Sequence, residues 1–566
     1  VHISRDRELS QFFSLNIAES PFPTHKVTMT NQSPEYAGFN AFACDPMLNL
    51  ASVSMSKEAK DGFMKLGAWA GMADTIKLGA LANENPPVLH THDAKGERID
   101  RVEYHPAWHA LMRKGVESGL HASAWRDGDG DKGHRNLARA IRMYISGGVE
   151  SGHLCPMSMT NASVAALVAN QPLLGEWQGK ILSSQYDPSH KAMSQKRGVT
   201  LGMAMTERQG GSDVRAATTK AEALQDGIWR INGAKWFVSA PMCDAFLVLA
   251  QANKGISCFM MPRILPDGEM NGMRIQRLKN KLGNRSNASS EIEFTDALAY
   301  LVGDEGEGIA TIMEMVTLTR LDCSVFSSGL IRTSLAEAIH HTRHRSAFGK
   351  KLVDQPLMER VLADLSLDAV ASSALTFRLA TAFDRASANP EEAAYVRLMT
   401  PVIKYWTCKI APALIGEALE CLGGNGYIEA GNLSRHYREA PLSGIWEGAG
   451  NIMCLDVMRV LSKSKNILDA VLDGLQRDLG GESAGKTVDV IRTAAQMTLE
   501  DPGSARILVE QLALTAAAAE LTKLGAGQTA QAFIETRLGG LWRNTYGMLD
   551  NRYNAREIIN KNFPAW

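Results

Sequence analysis

The chain has 566 residues, 45% hydrophobic and 21% charged. That is an ordinary globular composition, with length for roughly three or four domains of ~150 residues and for a large buried core. A formal net charge of −1 at pH 7 excludes a global basic field, so any contact with nucleic acid or an anionic membrane must be local.

Residues 1–57 show no sustained periodicity and are expected to form an irregular extension. Because the sequence opens on Val1, residues 1–28 read as an upstream translation or a non-Met start, with Met29 as the alternative. From residue 58 to about 82, Phe63, Leu66, Ala70, Ala73 and Ile76 recur at helical spacing and stop before Asn83-Glu84-Asn85-Pro86-Pro87. Helical texture resumes over Pro106 to Lys114 and 136–170, which makes 58–197 a helical domain. Asp127-Gly128-Asp129-Gly130-Asp131 looks like a calcium loop, but the sixth and twelfth positions are Lys132 and Ala138, so a solvated turn is expected. At about 198 the pattern becomes short and apolar or alternating, as in Trp236-Phe237-Val238 and Ala245 to Leu249, with Asp226-Gly227 and Asn232-Gly233 turns. Residues 198–302 therefore read as an antiparallel β domain. After Gly303 to Gly308 long helical patterns return (Val361, Leu365, Leu375, Leu379, Phe383) and a bundle is expected over 303–465. A further helical segment, 466–566, follows and carries Ala-rich runs such as Ala516 to Ala519.

Eight cysteines (Cys44, Cys155, Cys243, Cys258, Cys323, Cys408, Cys421, Cys454) are scattered with no C-x-x-C pair. They read as reduced, mainly buried thiols, and no metal centre is expected. No apolar run approaches the ~20 residues that span a bilayer, and no apolar h-region opens the chain; the expected location is the cytoplasm.

One stretch concentrates chemistry: Ser443-Gly444-Ile445-Trp446-Glu447-Gly448-Ala449-Gly450-Asn451-Ile452-Met453. It sets a carboxylate between an aromatic residue and small residues. Such a group becomes a competent base for carbon acids when a water-poor wall lifts its pKa. Taken alone, the stretch also fits a surface Glu after a turn.

The order of helices, β domain and helical bundle carrying this turn resembles the acyl-CoA dehydrogenase flavoproteins. Five motifs carry the resemblance: Met205-Thr206-Glu207-Arg208-Gln209-Gly210-Gly211-Ser212-Asp213-Val214, Ala234 to Ser239, Leu282-Gly283-Asn284-Arg285-Ser286, His344-Arg345-Ser346-Ala347-Phe348-Gly349, and Gly423-Gly424-Asn425-Gly426-Tyr427. The resemblance implies an α+β, mainly α fold: N-terminal helices, a central antiparallel β domain, a four-helix bundle, and here an extra C-terminal helical domain. It implies FAD, held by Met203, Met205, Thr206, Gly211, Ser212, Phe237, Val238, Ser239, Ile445, Trp446 and Asn451. Arg345, Phe348, Gly423 and Gly424 would meet the dinucleotide of a neighbouring subunit in a homotetramer. A nicotinamide fingerprint needs G-x-G-x-x-G between strand and helix, which this glycine cluster does not supply. The resemblance also implies an acyl-CoA substrate, with Glu447 as base. A family subset places a Glu near Thr319-Arg320-Leu321 instead; this chain has Thr319 there, which favours Glu447. Arg320 would support the base or the CoA portion.

Two departures stand out. The family's usual Glu-Gly-Thr-Ser is here Glu447-Gly448-Ala449-Gly450, and Trp446 is bulkier than the family's usual neighbour, which would narrow the acyl channel. Asn85-Pro86-Pro87, His105 to His109, Leu154-Cys155-Pro156, Lys281 to Ser289 and Ile445 to Asp456 resemble the AidB-type, alkylation-response branch. That branch implies weak dehydrogenase activity and double-stranded DNA bound by the C-terminal domain. Residues 461–566 hold 12 Lys+Arg against 12 Asp+Glu, so a phosphate-binding face would need segregated charge. Arg537, Arg543, Arg552, Arg556 and Lys561, joined by Arg459, are the candidates; a solvated face or an oligomer contact is the competing interpretation. Two functions follow: an AidB-like flavoprotein that protects DNA, or a metabolic dehydrogenase with a structural extension.

Overall fold

The computed structural model describes residues 31–126, 131–481, 483–539 and 552–564. Residues 1–28, most of the Asp127 to Asp131 turn, and Arg543 lie outside them.

The extension expected to be irregular up to residue 57 carries a helix, α1 (Pro46–Ala51). Asp45 caps it by accepting from Met47 N at 2.9 Å, and Pro46 supplies a preset φ at its first turn. Phe42, Met47 and Leu48 are buried, so this short apolar run folds onto the body. Helices α2 (Lys57–Ala70) and α3 (Ala73–Glu84) follow. The Asn83 to Pro87 stop leads into a hairpin that the helical pattern did not announce, β1 (Val88–His92) with β2 (Arg98–Glu103). Its turn is local chemistry: Asp93 Oδ1 accepts from the backbone of Lys95 and Glu97 at 2.8 and 2.9 Å, and Gly96 takes φ +86°. Helices α4 (Pro106–Glu117), α5 (Arg135–Val149), α6 (Leu154–Leu167) and α7 (Gln171–Ile181) complete the first part.

The β region holds β3 (Leu201–Ala204), β4 (Lys220–Ala223), β5 (Ile228–Ser239), β6 (Ala245–Ala252), β7 (Gly255–Pro262), β8 (Met273–Leu278) and β9 (Ser289–Val302). The chain of pairings β6-β4-β5-β9-β7 returns to β6, closing a barrel. The sheet is not wholly antiparallel as expected: β3 runs parallel to β6, Leu201 opposite Ala245 through Ala204 opposite Val248. Thr160 of α6 pins the start of β3 by accepting from Leu201 N at 2.9 Å.

Three long helices, α8 (Gly308–His344), α9 (Pro356–Arg385) and α10 (Pro390–Glu420), pack on one another. Between α8 and α9 lie the two-residue strands β10 (Ser346–Ala347) and β11 (Lys350–Lys351). Then come α11 (Gly424–Tyr427), α12 (Leu433–Glu439), α13 (Gly450–Lys463), α14 (Lys465–Leu479), α15 (Ser483–Glu500), α16 (Ala505–Lys523), α17 (Gln528–Phe533) and α18 (Ala555–Asn562). Helices α14 and α16 lie on α10, and α16 and α18 on α9. Their buried Leu472, Leu475, Leu508 and Leu512 share one apolar core with the bundle. No described helix is long and apolar enough to cross a membrane.

Candidate active site

The turn after α12 carries Glu447 in a left-handed backbone conformation, φ +58°, followed by Gly448 at +101°. A glutamate there is strained, and the surroundings must hold it. Thr319 of α8 donates Oγ1 to Glu447 Oε2 at 2.7 Å. Arg320 donates Nε to the Glu447 carbonyl at 3.1 Å and pairs through a terminal nitrogen with Asp456 Oδ2 of α13 at 2.7 Å. Asp456 is also held by Arg397 at 3.0 Å. Arg320 thus holds the Glu447 turn through its backbone.

Glu447 has its carboxyl pKa raised, chiefly by burial. The Thr319 hydroxyl, Arg320 and Lys404 pull it down, and Asp322 pushes it up. Asp322 is itself locked in a buried pair with Arg139, at 2.7 and 2.9 Å, and accepts from Ser158 at 2.6 Å. Because Thr319 is the largest lowering influence, Thr319→Val is expected to move the pH rise of any Glu447-dependent rate to higher pH; a pH profile of flavin reduction checks it.

The second wall is the barrel. The chain leaves β3 through Met205 and Thr206, and Thr206 O accepts from Trp236 N of β5 at 2.8 Å. Beyond Trp236, Phe237 is 52% exposed, Val238 is buried, and Ser239 Oγ lies 3.4 Å from Ser289 Oγ. A Cβ at Gly211 would meet Thr206 Oγ1 at 2.5 Å, so the loop needs glycine there. Met203 is half-buried and Ser212 exposed.

Glu207, quoted in the sequence motif without a role, anchors this loop. It accepts from Lys235 at 2.8 Å, Thr218 Oγ1 at 2.8 Å and Thr219 Oγ1 at 2.6 Å. Burial acts to raise its pKa, but these donors outweigh it and hold the carboxyl well below the usual carboxylate range. A depressed folded pKa stabilises fully above the unfolded value near 4.5 and loses that stability as pH falls toward the folded value. Acid unfolding curves of wild type and Glu207→Gln are expected to differ above about pH 4.5 and to converge as the solution is acidified.

Cys155 of α6 links the two walls. Burial pushes its thiol up to about 11; Lys281, Asn287 and Ser239 pull the other way, and Glu447 adds to the rise. Ser239 and Glu447 thus both act on this one buried thiol. Lys281, pushed down to about 8 by burial, donates to Ser289 Oγ at 3.0 Å. Trp446 Nε1 is buried with no hydrogen-bond partner among the described residues. An exposed flat Phe237, an unsatisfied indole donor, the Thr206 and Ser239 hydroxyls and a glycine loop suit a planar, polar-edged ring such as isoalloxazine.

The residues assigned to a neighbour's dinucleotide face outward. Phe348 is 97% exposed with φ +52°, and Arg345 donates to Asn31 O at 2.8 Å. Gly423 has φ +59° and Gly424 is exposed, as is Ile445. Asn451 Oδ1 accepts from Arg506 of α16 at 2.8 Å.

The basic candidates fare differently. Arg537 is buried on α9, 2.6 Å from Asp364 and 3.0 Å from Asp368. It is spent on carboxylates and cannot reach a phosphate. Arg556 pairs with Asp354 and Glu359 at 2.8 and 2.9 Å, Arg552 with Glu535 at 3.4 Å, and Lys561 donates to Ala526 O at 3.1 Å. Arg537, Arg552 and Arg556 are thus each set against carboxylates, which counting residues could not reveal. Arg459 remains exposed on α13.

Sequence reasoning gave no role to Asp456, Arg397, Lys404, Lys281 or Glu207. A single charged residue inside an apolar helical run, such as Lys404 within Met399 to Trp406, was the available signal for one of them.

Comparison with known proteins agrees with this geometry. The adaptive response protein AidB N-terminal domain matches residues 31–188, the acyl-CoA dehydrogenase middle domain 202–297 and the acyl-CoA dehydrogenase C-terminal domain 306–462. The chain is 44% identical to AidB of Escherichia coli (strain K12) over 481 residues, 84% of this chain and 88% of that one. It is 32% identical to acyl-CoA dehydrogenase family member 11 of Caenorhabditis elegans, over 78% and 74%. The structure of Caenorhabditis elegans ACDH-11 in complex with C11-CoA superposes with a TM-score of 0.82 at 26% identity, covering 96% of this chain and 98% of that one. The chain belongs to the AidB branch of the acyl-CoA dehydrogenase family, whose mainly helical fold with a central β-barrel it shares.

Proposed function

We propose that this chain binds FAD and dehydrogenates an acyl-CoA thioester weakly, with Glu447 as the base, and that it associates with DNA as a homotetramer in the response to alkylation damage. The observation that carries the enzymatic part is the Glu447 turn: a buried carboxyl in a left-handed backbone, bonded by the Thr319 hydroxyl, its carbonyl held by Arg320, and its pKa raised by burial. FAD, when bound, supplies the hydride acceptor. Thr206, Ser239, Phe237 and Trp446 would hold its ring, while Glu447 takes the thioester's α-proton on a carboxylate oxygen. Thr319 and Arg320 keep that carboxyl aimed, so little reorganisation is needed as the proton moves. Only the ionised form accepts a proton, so the rate is expected to rise with pH through Glu447's elevated pKa.

The DNA part rests on similarity to AidB and on the exposed face of α13, where Leu455, Arg459 and Lys463 follow at four-residue spacing. The pairing of Arg537, Arg552 and Arg556 favours a second interpretation for the C-terminal helices, a structural layer on a metabolic dehydrogenase. Truncation near residue 465 would strip α14 and α16 from α10, so surface charge reversal is the sounder test. A salt titration of binding to an unspecific duplex should show affinity that falls with salt and drops further in Arg459→Glu/Lys463→Glu. No binding at low salt would remove the DNA role.

A further inference from the structure

Lys404 lies in the middle of α10 and is 1% exposed. Among the described residues it pairs with no carboxylate, an unusual state for a buried ammonium. Its partners are two peptide oxygens: Trp446 O at 3.0 Å and Gly448 O at 2.5 Å. These are the carbonyls on either side of Glu447, and Arg320 takes the carbonyl between them. Three successive carbonyls are thus captured by two cations, across the one place where a glutamate sits at φ +58°. Without that capture the turn would have little reason to stay left-handed.

We propose that Lys404 is a positioning residue for the base: its ammonium clamps the two carbonyls flanking Glu447, fixes the strained turn that aims the carboxyl, and favours the carboxyl's ionised form. The inference rests on Glu447 being the base. The groups that face Glu447 define its field. From α8 come Thr319, Arg320, Asp322 and Cys323, from α6 Cys155, and from α10 Lys404 itself. Arg320 is partly neutralised by Asp456, and Asp322 is opposed by Arg139. Lys404 brings a charge with no such counterpart.

Two substitutions separate clamp from charge in the full-length, flavin-loaded protein. Lys404→Met removes both, whereas Lys404→Gln keeps a donor and removes the charge. Butyryl-CoA and undecanoyl-CoA serve as probes, with their dissociation constants read from the flavin spectrum and the limiting rate of flavin reduction followed against pH. Lys404→Met is expected to leave the dissociation constants within about 2-fold, lower limiting reduction about 10- to 100-fold at neutral pH, and move the pH midpoint to the alkaline side. Lys404→Gln should move the midpoint the same way with a smaller rate loss; should the Met variant fail to fold, the Gln variant decides. An unmoved midpoint in Lys404→Gln, or an effect confined to weaker thioester binding with the limiting rate unchanged, overturns the proposal. Glu447→Gln, run beside them, separates the failures. If it reduces at the wild-type rate, the base assignment falls and Lys404 with it. If it is inactive while both Lys404 variants behave like wild type, the Lys404 assignment falls by itself.

Discussion

Glu447→Gln is expected to retain the fold and FAD and to lose flavin reduction by an acyl-CoA by about 10²- to 10⁴-fold. The exchange keeps side-chain size and lets Thr319 Oγ1 still donate, now to an amide oxygen, so the left-handed turn held by Arg320 and Lys404 is undisturbed. What disappears is the only proton acceptor that the turn presents. Anaerobic stopped-flow bleaching of the flavin checks it, with the flavin spectrum reporting retention. Reduction at the wild-type rate would remove Glu447 as base.

The second large effect concerns stability. Arg537→Met is expected to destabilise the protein by about 3–5 kcal/mol, because it takes the guanidinium away from two buried carboxylates, Asp364 and Asp368. Both carboxylates lie on α9, and the guanidinium also donates to the Asp364 carbonyl at 3.2 Å. Loss of this contact loosens the C-terminal helices from the bundle, so thermal unfolding should fall clearly. DNA affinity of the folded fraction should not change, which distinguishes a structural arginine from a phosphate contact.

Much of the fold was legible because local periodicity and tertiary burial agree. The long helices carry apolar residues at helical spacing, and the barrel strands, which run from Leu201 to Val302, carry short apolar runs. The hairpin β1–β2 was not legible: it is two short, mostly solvent-facing strands whose signal is an Asp-x-x-Gly turn. The parallel pairing of β3 with β6 depends on where α6 delivers the chain, which no local pattern encodes. At the candidate site, Glu447 and Arg320 were singled out by motif and lie in contact, because the small residues around Glu447 make its turn recognisable in sequence. Lys404 and Asp456 were missed because their roles are set by partners 44 and 136 positions away. The surroundings of Arg537, Arg552 and Arg556 were hidden for a related reason: sequence shows a cation but not the carboxylate beside it.

The most direct test of the central claim, that this turn and barrel face perform proton abstraction coupled to flavin reduction, is anaerobic bleaching of the FAD-loaded protein by acyl-CoA thioesters. A chain-length series should be run with and without deuterium at the α-carbon. The account predicts slow bleaching that slows further on α-deuteration, as expected when removal of that proton limits the step. Full FAD occupancy with no bleaching by any thioester, or bleaching indifferent to α-deuteration in both wild type and Glu447→Gln, would contradict it.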